Sequence, residues 1–327
     1  MRHLILVLSF FSLLFTSQAF GLVVYSGRSE SMVGPLLKQF QEETGIKVDV
    51  RYNKSPELTT QLLAEGKDSP ADVVFLQEAG YLSLLSQAGL LQPLDQETLN
   101  QVEMRFRDKE GLWIGTSGRV RVLVYNPTRV KESDLPSRLQ DLTDAKWKNK
   151  LGWAPNNASF QAHVNALTHL WGEQKTEQWL KSVKTSNPTN YPNNAAQVKA
   201  VASGEITLGW VNHYYLHQLK QQDPKLNAIN YHFTAPQDAG NLLMIAGAGV
   251  HKSSKNVAEA KKLVDYLVRN PAQTYFAQKT FEYPTHPGIP THKDVTPLNK
   301  LNLVSVKQSW LADVGPTVDM LQKLGIL

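Results

Sequence analysis

The chain has 327 residues, with 34 lysines and arginines against 29 acidic residues and no cysteine. A hydrophobic share of 42% beside 19% charged residues is a globular balance, which excludes disordered and fibrous classes and is long enough for two lobes. The missing cysteines exclude a disulfide scaffold, thiolate metal sites and cysteine nucleophiles; a net charge of +5 with no dense Lys/Arg stripe does not imply nucleic acid as a partner.

The chain opens on Met1, Arg2 and His3, followed by an almost unbroken apolar run over 4–15 and the small-x-small ending Ser17-Gln18-Ala19. That order predicts a secretory signal peptide over 1–19, cleaved after Ala19. The run is too short for a comfortable membrane span, which needs roughly 20 residues. Leu22, Val23, Val24 and Tyr25 then read as a buried strand. Met32, Leu36, Leu37 and Phe40 recur at helical spacing, and Gly45 closes that helix at 31–44. Residues 47–52 alternate as a strand, 56–65 read as a helix with Pro56 in its first turn, 71–76 as a strand, and 79–88 as a helix stopped by Gly89. This β-α-β-α-β-α order predicts a parallel sheet with helices on both faces.

The pattern changes near Thr116-Ser117-Gly118. A strand over 119–125 carries charge at Arg119 and Arg121, and a second βα series follows. It comprises a strand at 151–153, helices at 160–171, 176–183 and 195–202, and a strand at 206–211. A further strand at 243–250, a strongly periodic helix at 257–268 and a proline-rich loop over 282–290 complete the reading. Two similar βα lobes joined by crossing strands are the expected architecture. Ligands of open α/β sheets bind outside the carboxyl ends of the strands, which selects the segments after Tyr25, Leu76, Trp153 and Val211.

Few of those segments carry chemistry. Tyr214 and Tyr215 are adjacent; on a strand they would point to opposite faces, so only a turn or helix start aims both at one site. Two phenolates are hard anionic ligands suited to a hard trivalent cation such as Fe³⁺. With 11 tyrosines in the chain, chance alone yields roughly 0.4 such pairs, so the pair by itself does not identify a site. Asn193-Asn194, Asn157-Ala158-Ser159 and Ser26-Gly27-Arg28-Ser29 each precede a helix. They read either as ordinary caps or as anion-binding helix starts. His213 and His217 are four apart, but zinc would need a third ligand that is not placed nearby. No nucleophile elbow, zinc-protease helix or phosphate-binding loop is present, and no acid–base pair can be singled out.

Several stretches together carry more than any one of these. They are Val24-Tyr25-Ser26-Gly27-Arg28, the run from Glu65 through Val73, Ser86-Gln87-Ala88-Gly89-Leu90-Leu91, Thr116-Ser117-Gly118-Arg119, Lys146-Trp147-Lys148-Asn149, Asn212-His213-Tyr214-Tyr215 and Glu282-Tyr283-Pro284. With their spacing, the chain resembles the periplasmic ferric ion-binding proteins, the substrate-binding components of iron ABC transporters, over nearly its whole length after residue 19. The resemblance implies an α/β, two-lobe periplasmic binding protein fold with the ligand cleft between the lobes. Residues 20–118 and 239–293 would form one lobe, and 119–238 with 294–327 the other. It implies Tyr214 and Tyr215 as Fe³⁺ ligands. It further implies a synergistic anion, carbonate or phosphate, held by Asn157, Ala158, Ser159, Asn194 and Asn212, with Arg119 as a bidentate partner.

Three positions depart from the family pattern. Members using two tyrosines place a His after the first strand and a Glu after the third; here those cleft positions hold Ser29 and Gln77. Other members place a third Tyr where this chain has Phe160, and Glu78 stands one residue from the expected carboxylate. Either exogenous anions fill more of the shell or the ligand differs. The implied partners are an ABC permease and the small inorganic ligand, for a monomer in the periplasm that is not an enzyme. The rival readings are a two-lobe binding protein for a polyamine, thiamine or an organophosphonate, and a secreted enzyme.

Overall fold

The computed structural model describes residues 21–327. The signal-peptide expectation over 1–19 lies outside the described residues. The first half of the described chain runs β1 (Leu22–Ser26), α1 (Glu30–Thr44), β2 (Val48–Tyr52), α2 (Ser55–Glu65), β3 (Val73–Leu76), α3 (Ala79–Gln87), β4 (Leu91–Gln92), α4 (Gln96–Leu99) and β5 (Ile114–Tyr125). The second series is β6 (Leu151–Trp153), α5 (Ala158–Trp171), α6 (Glu173–Thr185), β7 (Thr189–Asn190), α7 (Asn194–Ser203), β8 (Leu208–Asn212), α8 (Tyr214–Gln222) and β9 (Ile229–Tyr231). The chain ends with β10 (Leu243–His251), α9 (Val257–Val268), α10 (Ala272–Gln278), β11 (Tyr283–Pro284) and α11 (Gly315–Lys323).

Hydrophobic periodicity explains the helices. In α1 the buried residues are Val33, Leu36, Leu37 and Phe40, one face of a 3.6-residue repeat, and Gly45 ends the helix at φ 71°, a left-handed cap without a Cβ penalty. β3 is buried along its whole length, as a central parallel strand must be when helices cover both faces.

The strands join in the order β2-β1-β3-β10-β5-β8-β6-β7. β1 pairs parallel with β2 and β3, and β6 pairs parallel with β7 and β8. Between these parallel groups run β10 and β5, antiparallel to each other and to their outer neighbours. β5 is one continuous, buried strand of 12 residues. Its residues up to Val120 pair with β10, and Arg121 to Tyr125 pair with β8. The sequence placed this strand at 119–125 only. Gly115, Ser117 and Gly118 are poor strand formers, but pairing with β10, and with β11 at Ser117 and Gly118, holds them extended. The expected loop at 282–290 contains β11, which pairs Tyr283 with Gly118 and Pro284 with Ser117.

The core falls into separate clusters. One cluster packs Val24, Phe40, Phe75 and Leu263 around the first parallel group. A second gathers Trp147, Trp153, Phe160, Trp179 and Trp210, with Trp210 edge-on to Phe160 at 5.0 Å and to Trp179 at 5.8 Å. Met320 and Leu321 of α11 close this second cluster.

The segment before α11 lies against α3. A Cβ on Gly80 would stand 2.5 Å from the carbonyl oxygen of Gln308 and 2.8 Å from the amide nitrogen of Ala312. Backbone cannot yield there as a side chain can. Gly80→Val is therefore expected to destabilise the protein by about 1–3 kcal/mol, read as a lowered midpoint in urea unfolding. An unchanged midpoint would show that the 308–312 segment is not fixed on α3.

Candidate metal centre

β8 carries the chain to Asn212, and the turn into α8 follows at once. His213 already has helical dihedrals, φ −57° and ψ −37°, and Tyr214 is the first helical residue. A strand-to-helix turn at this point brings the two phenol rings to the same side. Their centroids lie 4.4 Å apart with planes 29° from parallel. Tyr214 is buried and Tyr215 half-buried. Burial pushes the Tyr214 phenol well above its ordinary range, reinforced by Tyr215 and opposed by Arg119.

His213 fixes this turn to β5. Its backbone N–H donates to the Val120 carbonyl at 3.0 Å, and its Nδ1 accepts from the Val120 N–H at 3.2 Å. Nε2 therefore carries the proton and donates to the Phe281 carbonyl at 2.8 Å. Burial holds this imidazole well below 6.5, so it is neutral. His213 is thus a structural bracket, and Tyr214 starts beside the point where β5 changes partners.

Three buried arginines surround that point. Arg28, after β1, makes a bidentate pair with Glu282 at 2.9 and 2.6 Å, both side chains fully buried. Arg119 donates to Glu78 at 2.7 Å and to the Gln77 carbonyl at 2.7 Å. Arg121 has no carboxylate partner. It donates to Asn212 Oδ1 at 3.0 Å, Asn194 Oδ1 at 3.3 Å and the Trp210 carbonyl at 2.8 Å, and lies 5.4 Å over the Trp210 ring. Burial pulls its guanidinium down to about 9, against the pull of the Tyr215 and Tyr214 phenols. Three guanidinium groups face two carboxylates, leaving one buried positive charge without an anionic partner.

Of the expected anion-binding residues, Asn194 and Asn212 bond Arg121 directly and Ser159 is linked to it through Asn212. Asn157 caps α5, its Oδ1 accepting from the Ser159 N–H at 3.0 Å. Ser159 Oγ accepts from Asn212 Nδ2 at 3.1 Å, which links the start of α5 to the end of β8. Asn194 opens α7, and its buried Nδ2 has no protein partner. Ala158 is exposed at the first position of α5. Both terminal nitrogens of the Arg119 fork are directed at protein oxygens, the Gln77 carbonyl and the Glu78 carboxylate. Ser29 is exposed at the start of α1, and Gln77 is half-buried after β3. Phe160 lies in the tryptophan cluster, edge-on to Trp153 at 5.7 Å. Among the described residues, no three His, Asp or Glu side chains are grouped to hold a metal.

Residues 68–303 match the family described as bacterial extracellular solute-binding protein. The chain belongs to that family. It is 35% identical over 309 residues to an Fe(3+)-binding periplasmic protein of Serratia marcescens, covering 94% of this chain and 91% of the relative. The crystal structure of iron-bound HitA from Pseudomonas aeruginosa superposes with a TM-score of 0.87 at 34% identity, covering 93% of this chain and 99% of that one. A Trichodesmium protein (IdiA, FutA) solved with iron and citrate superposes at 0.80 with 31% identity, covering 94% and 99%. The neighbours carry the two-lobe periplasmic binding fold, the α/β architecture expected from the sequence.

Sequence reasoning assigned no role to Arg28, Arg121, Glu78 or Glu282. One signal was available: Arg119 and Arg121 are two apart in a strand and so share a face, and a buried pair of like charges demands anionic company.

Two predictions come from these buried charges. Glu282→Gln strands Arg28 in the interior and is expected to cost about 3–5 kcal/mol in chemical denaturation, most of it recovered by the double variant Arg28→Met, Glu282→Leu. Equal losses in the single and double variants would show that the pair does not behave as a unit. His163, buried against Trp210, is pulled from 6.5 down to about 3, by burial first and by Arg121 second. The native state refuses a proton that the unfolded chain accepts. Stability is thus full above pH 6.5 and lost as pH falls from 6.5 towards 3, by up to about 1.4 kcal/mol per unit. The stability–pH slope of His163→Gln in that window should be shallower by up to this amount; an identical slope would place the imidazole in contact with water.

Proposed function

We propose that this protein is a periplasmic ferric iron-binding protein that captures one Fe³⁺ with a synergistic anion and delivers it to an ABC permease. The observation that carries the reading is the stacked Tyr214 and Tyr215 pair at the start of α8, set beside a buried guanidinium with no carboxylate partner. Phenolates are hard oxygen donors, and a trivalent cation is the kind of ion whose charge displaces their protons. The Serratia marcescens relative named for Fe(3+) binding, at 35% identity over nearly the whole chain, supports the same ion.

Charge balance argues for the anion. Fe³⁺ with two phenolates keeps one positive charge, and Arg121 adds a second. Two like charges in a buried site call for an exogenous dianion such as carbonate or hydrogen phosphate. Asn194 Nδ2, the Asn212 and Ser159 pair and the Asn157-Ala158 start of α5 are the neutral groups that would hold it. Arg121 is the buried guanidinium beside these groups that has no carboxylate partner. Arg119 contributes its field through the Glu78 pair. Ser29 and Gln77 supply no strong ligand, so the anion and water carry more of the shell.

The lobes in this reading are 20–118 with 239–293, and 119–238 with 294–327, moving about β5 and β10. Closure over the ion makes the binding-competent state dominant. In this reading an export signal over 1–19 directs the protein to the periplasm, where it acts as a monomer.

Adding Fe³⁺ and bicarbonate to the iron-free protein should produce a visible phenolate-to-iron charge-transfer band. Tyr214→Phe, Tyr215→Phe should abolish it and weaken iron binding by at least about a thousandfold in competition with a chelator. Acid should bleach the band, since protons compete for both phenolates, and reduction to Fe²⁺ should release the ion. A colourless wild type that binds no iron with carbonate or phosphate would end the reading.

A further inference from the structure

A groove of about 630 Å³ opens between the turn after β5 and the segment that leads into β6. That is the size of a small-molecule site. Two separate stretches of chain bring cations to it, Arg129 and Lys131 from one and Lys146 and Lys150 from the other, and Asp134 and Trp147 also line it. The Lys150 carbonyl accepts from the N–H groups of Thr207 and Leu208 at 3.0 and 2.9 Å, where β8 begins, whereas the tyrosines follow the end of that strand. The length of β8, roughly 16 Å, therefore separates this groove from the tyrosine pair.

The four cations are exposed, and two of them are held in place without being neutralised. None of the four forms an ion pair with a described residue, and neither does Asp134. Lys146 Nζ donates to the Asp134 carbonyl at 2.9 Å and lies 4.7 Å over the buried Trp147 ring. The Arg129 guanidinium rests on the glycine that ends α7: a Cβ on Gly204 would stand 3.0 Å from its Nε. The negative end of that helix dipole favours a cation there. The turn beneath it is fixed as well. The Arg129 N–H donates to the Asn126 carbonyl at 3.0 Å, and Asn126 Oδ1 accepts from the Thr128 N–H at 2.9 Å. With Asp134 as the one acid of the lining, the groove carries a net charge of +3. A concave surface of one sign concentrates multivalent ions of the other.

Glu132 and Asp144 are exposed neighbours of this region in the chain but are not part of the lining. A flat anionic membrane would meet these acids together with the cations; a compact anion seated in the groove meets the cations and Asp134. Lysine ammoniums are point charges that suit phosphoryl oxygens without a fixed geometry, and an arginine fork adds a bidentate contact. We propose that this groove binds a compact oligophosphate of two or three phosphoryl groups, with Arg129 as the fork and Lys131, Lys146 and Lys150 as point charges. The site is separate from the tyrosine pair and does not depend on the iron reading.

The test titrates iron-free protein with tripolyphosphate in a calorimeter at low salt. Binding should be saturable, and raising the ionic strength from about 0.05 to 0.2 M should weaken it roughly tenfold, because the cations are exposed. Lys131→Glu, Lys150→Glu should weaken it by at least about fiftyfold. Lys252→Glu, Lys262→Glu makes the same charge change on exposed residues outside the groove and should weaken it by less than about threefold. The Tyr214→Phe, Tyr215→Phe variant should bind tripolyphosphate as the wild type does, so a failed iron site leaves this result untouched. Citrate should bind at least about tenfold more weakly, and phosphatidylglycerol vesicles should not sediment the protein. No binding of tripolyphosphate, equal losses in the two lysine pairs, equal binding of citrate, or sedimentation with vesicles that Lys131→Glu, Lys150→Glu removes would each overturn the proposal.

Discussion

Arg121 is a fully buried cation whose partners are two asparagine oxygens and a backbone carbonyl. Neutral acceptors soften the desolvation of a guanidinium but leave its charge uncompensated, and an uncompensated buried charge costs several kcal/mol. Arg28 and Arg119, by contrast, each have a carboxylate at 2.6–2.7 Å. The fold therefore neutralises two of three arginines and leaves the third beside two phenols. An arrangement so costly is sustained by the packing of Trp210 and by the Asn194 and Asn212 amides, and it prepares the site to take negative charge. Phenolates and an oxyanion are the groups that supply it in the ferric reading.

The topology makes that concentration of charge possible. β5 joins β8, a member of one parallel group, to β10, which pairs with β3 of the other, and Arg119, Val120 and Arg121 straddle its change of partner. Across the ladder, Arg121 stands opposite Asn212, so the register of one strand pair sets an arginine against the residue that ends β8. The bracket between His213 and Val120 then fixes where α8 begins. Moving β8 by one residue would turn Asn212 to the other face and break the bracket. Core packing, register and site geometry are thus one constraint.

Much of this was legible from residue order. Apolar spacing and glycine stops placed α1, α3 and α9 to within a residue or two, because burial of one helix face dominates those segments. The Tyr pair was recognisable as needing a turn, since strand geometry cannot bring neighbours together. What was hidden depends on tertiary pairing. Ser117 and Gly118 carry no strand signal, and only β10 and β11 make them part of β5. The pairing of Arg28 with Glu282 spans 254 positions, beyond any local pattern. The pairing of Arg119 with Glu78 spans 41 positions and is equally beyond a local pattern.

The departures at Ser29, Gln77 and Phe160 have a physical consequence for the ferric reading. Each position holds a neutral group where a charged or phenolic donor would add negative charge to the shell. Phe160 cannot contribute, being locked edge-on between Trp153 and Trp210. In that reading, with fewer protein anions, the ion would depend less on the tyrosines alone and more on the borrowed anion, whose binding would in turn need Arg121. Iron and anion then become mutually dependent ligands: each supplies the charge that makes burying the other favourable, and by reciprocity each raises the affinity for the other equally. Such coupling suits a carrier that must hold its cargo tightly and still release it, because removing the weaker, exchangeable partner lowers the hold on the stronger one without disturbing the phenol pair.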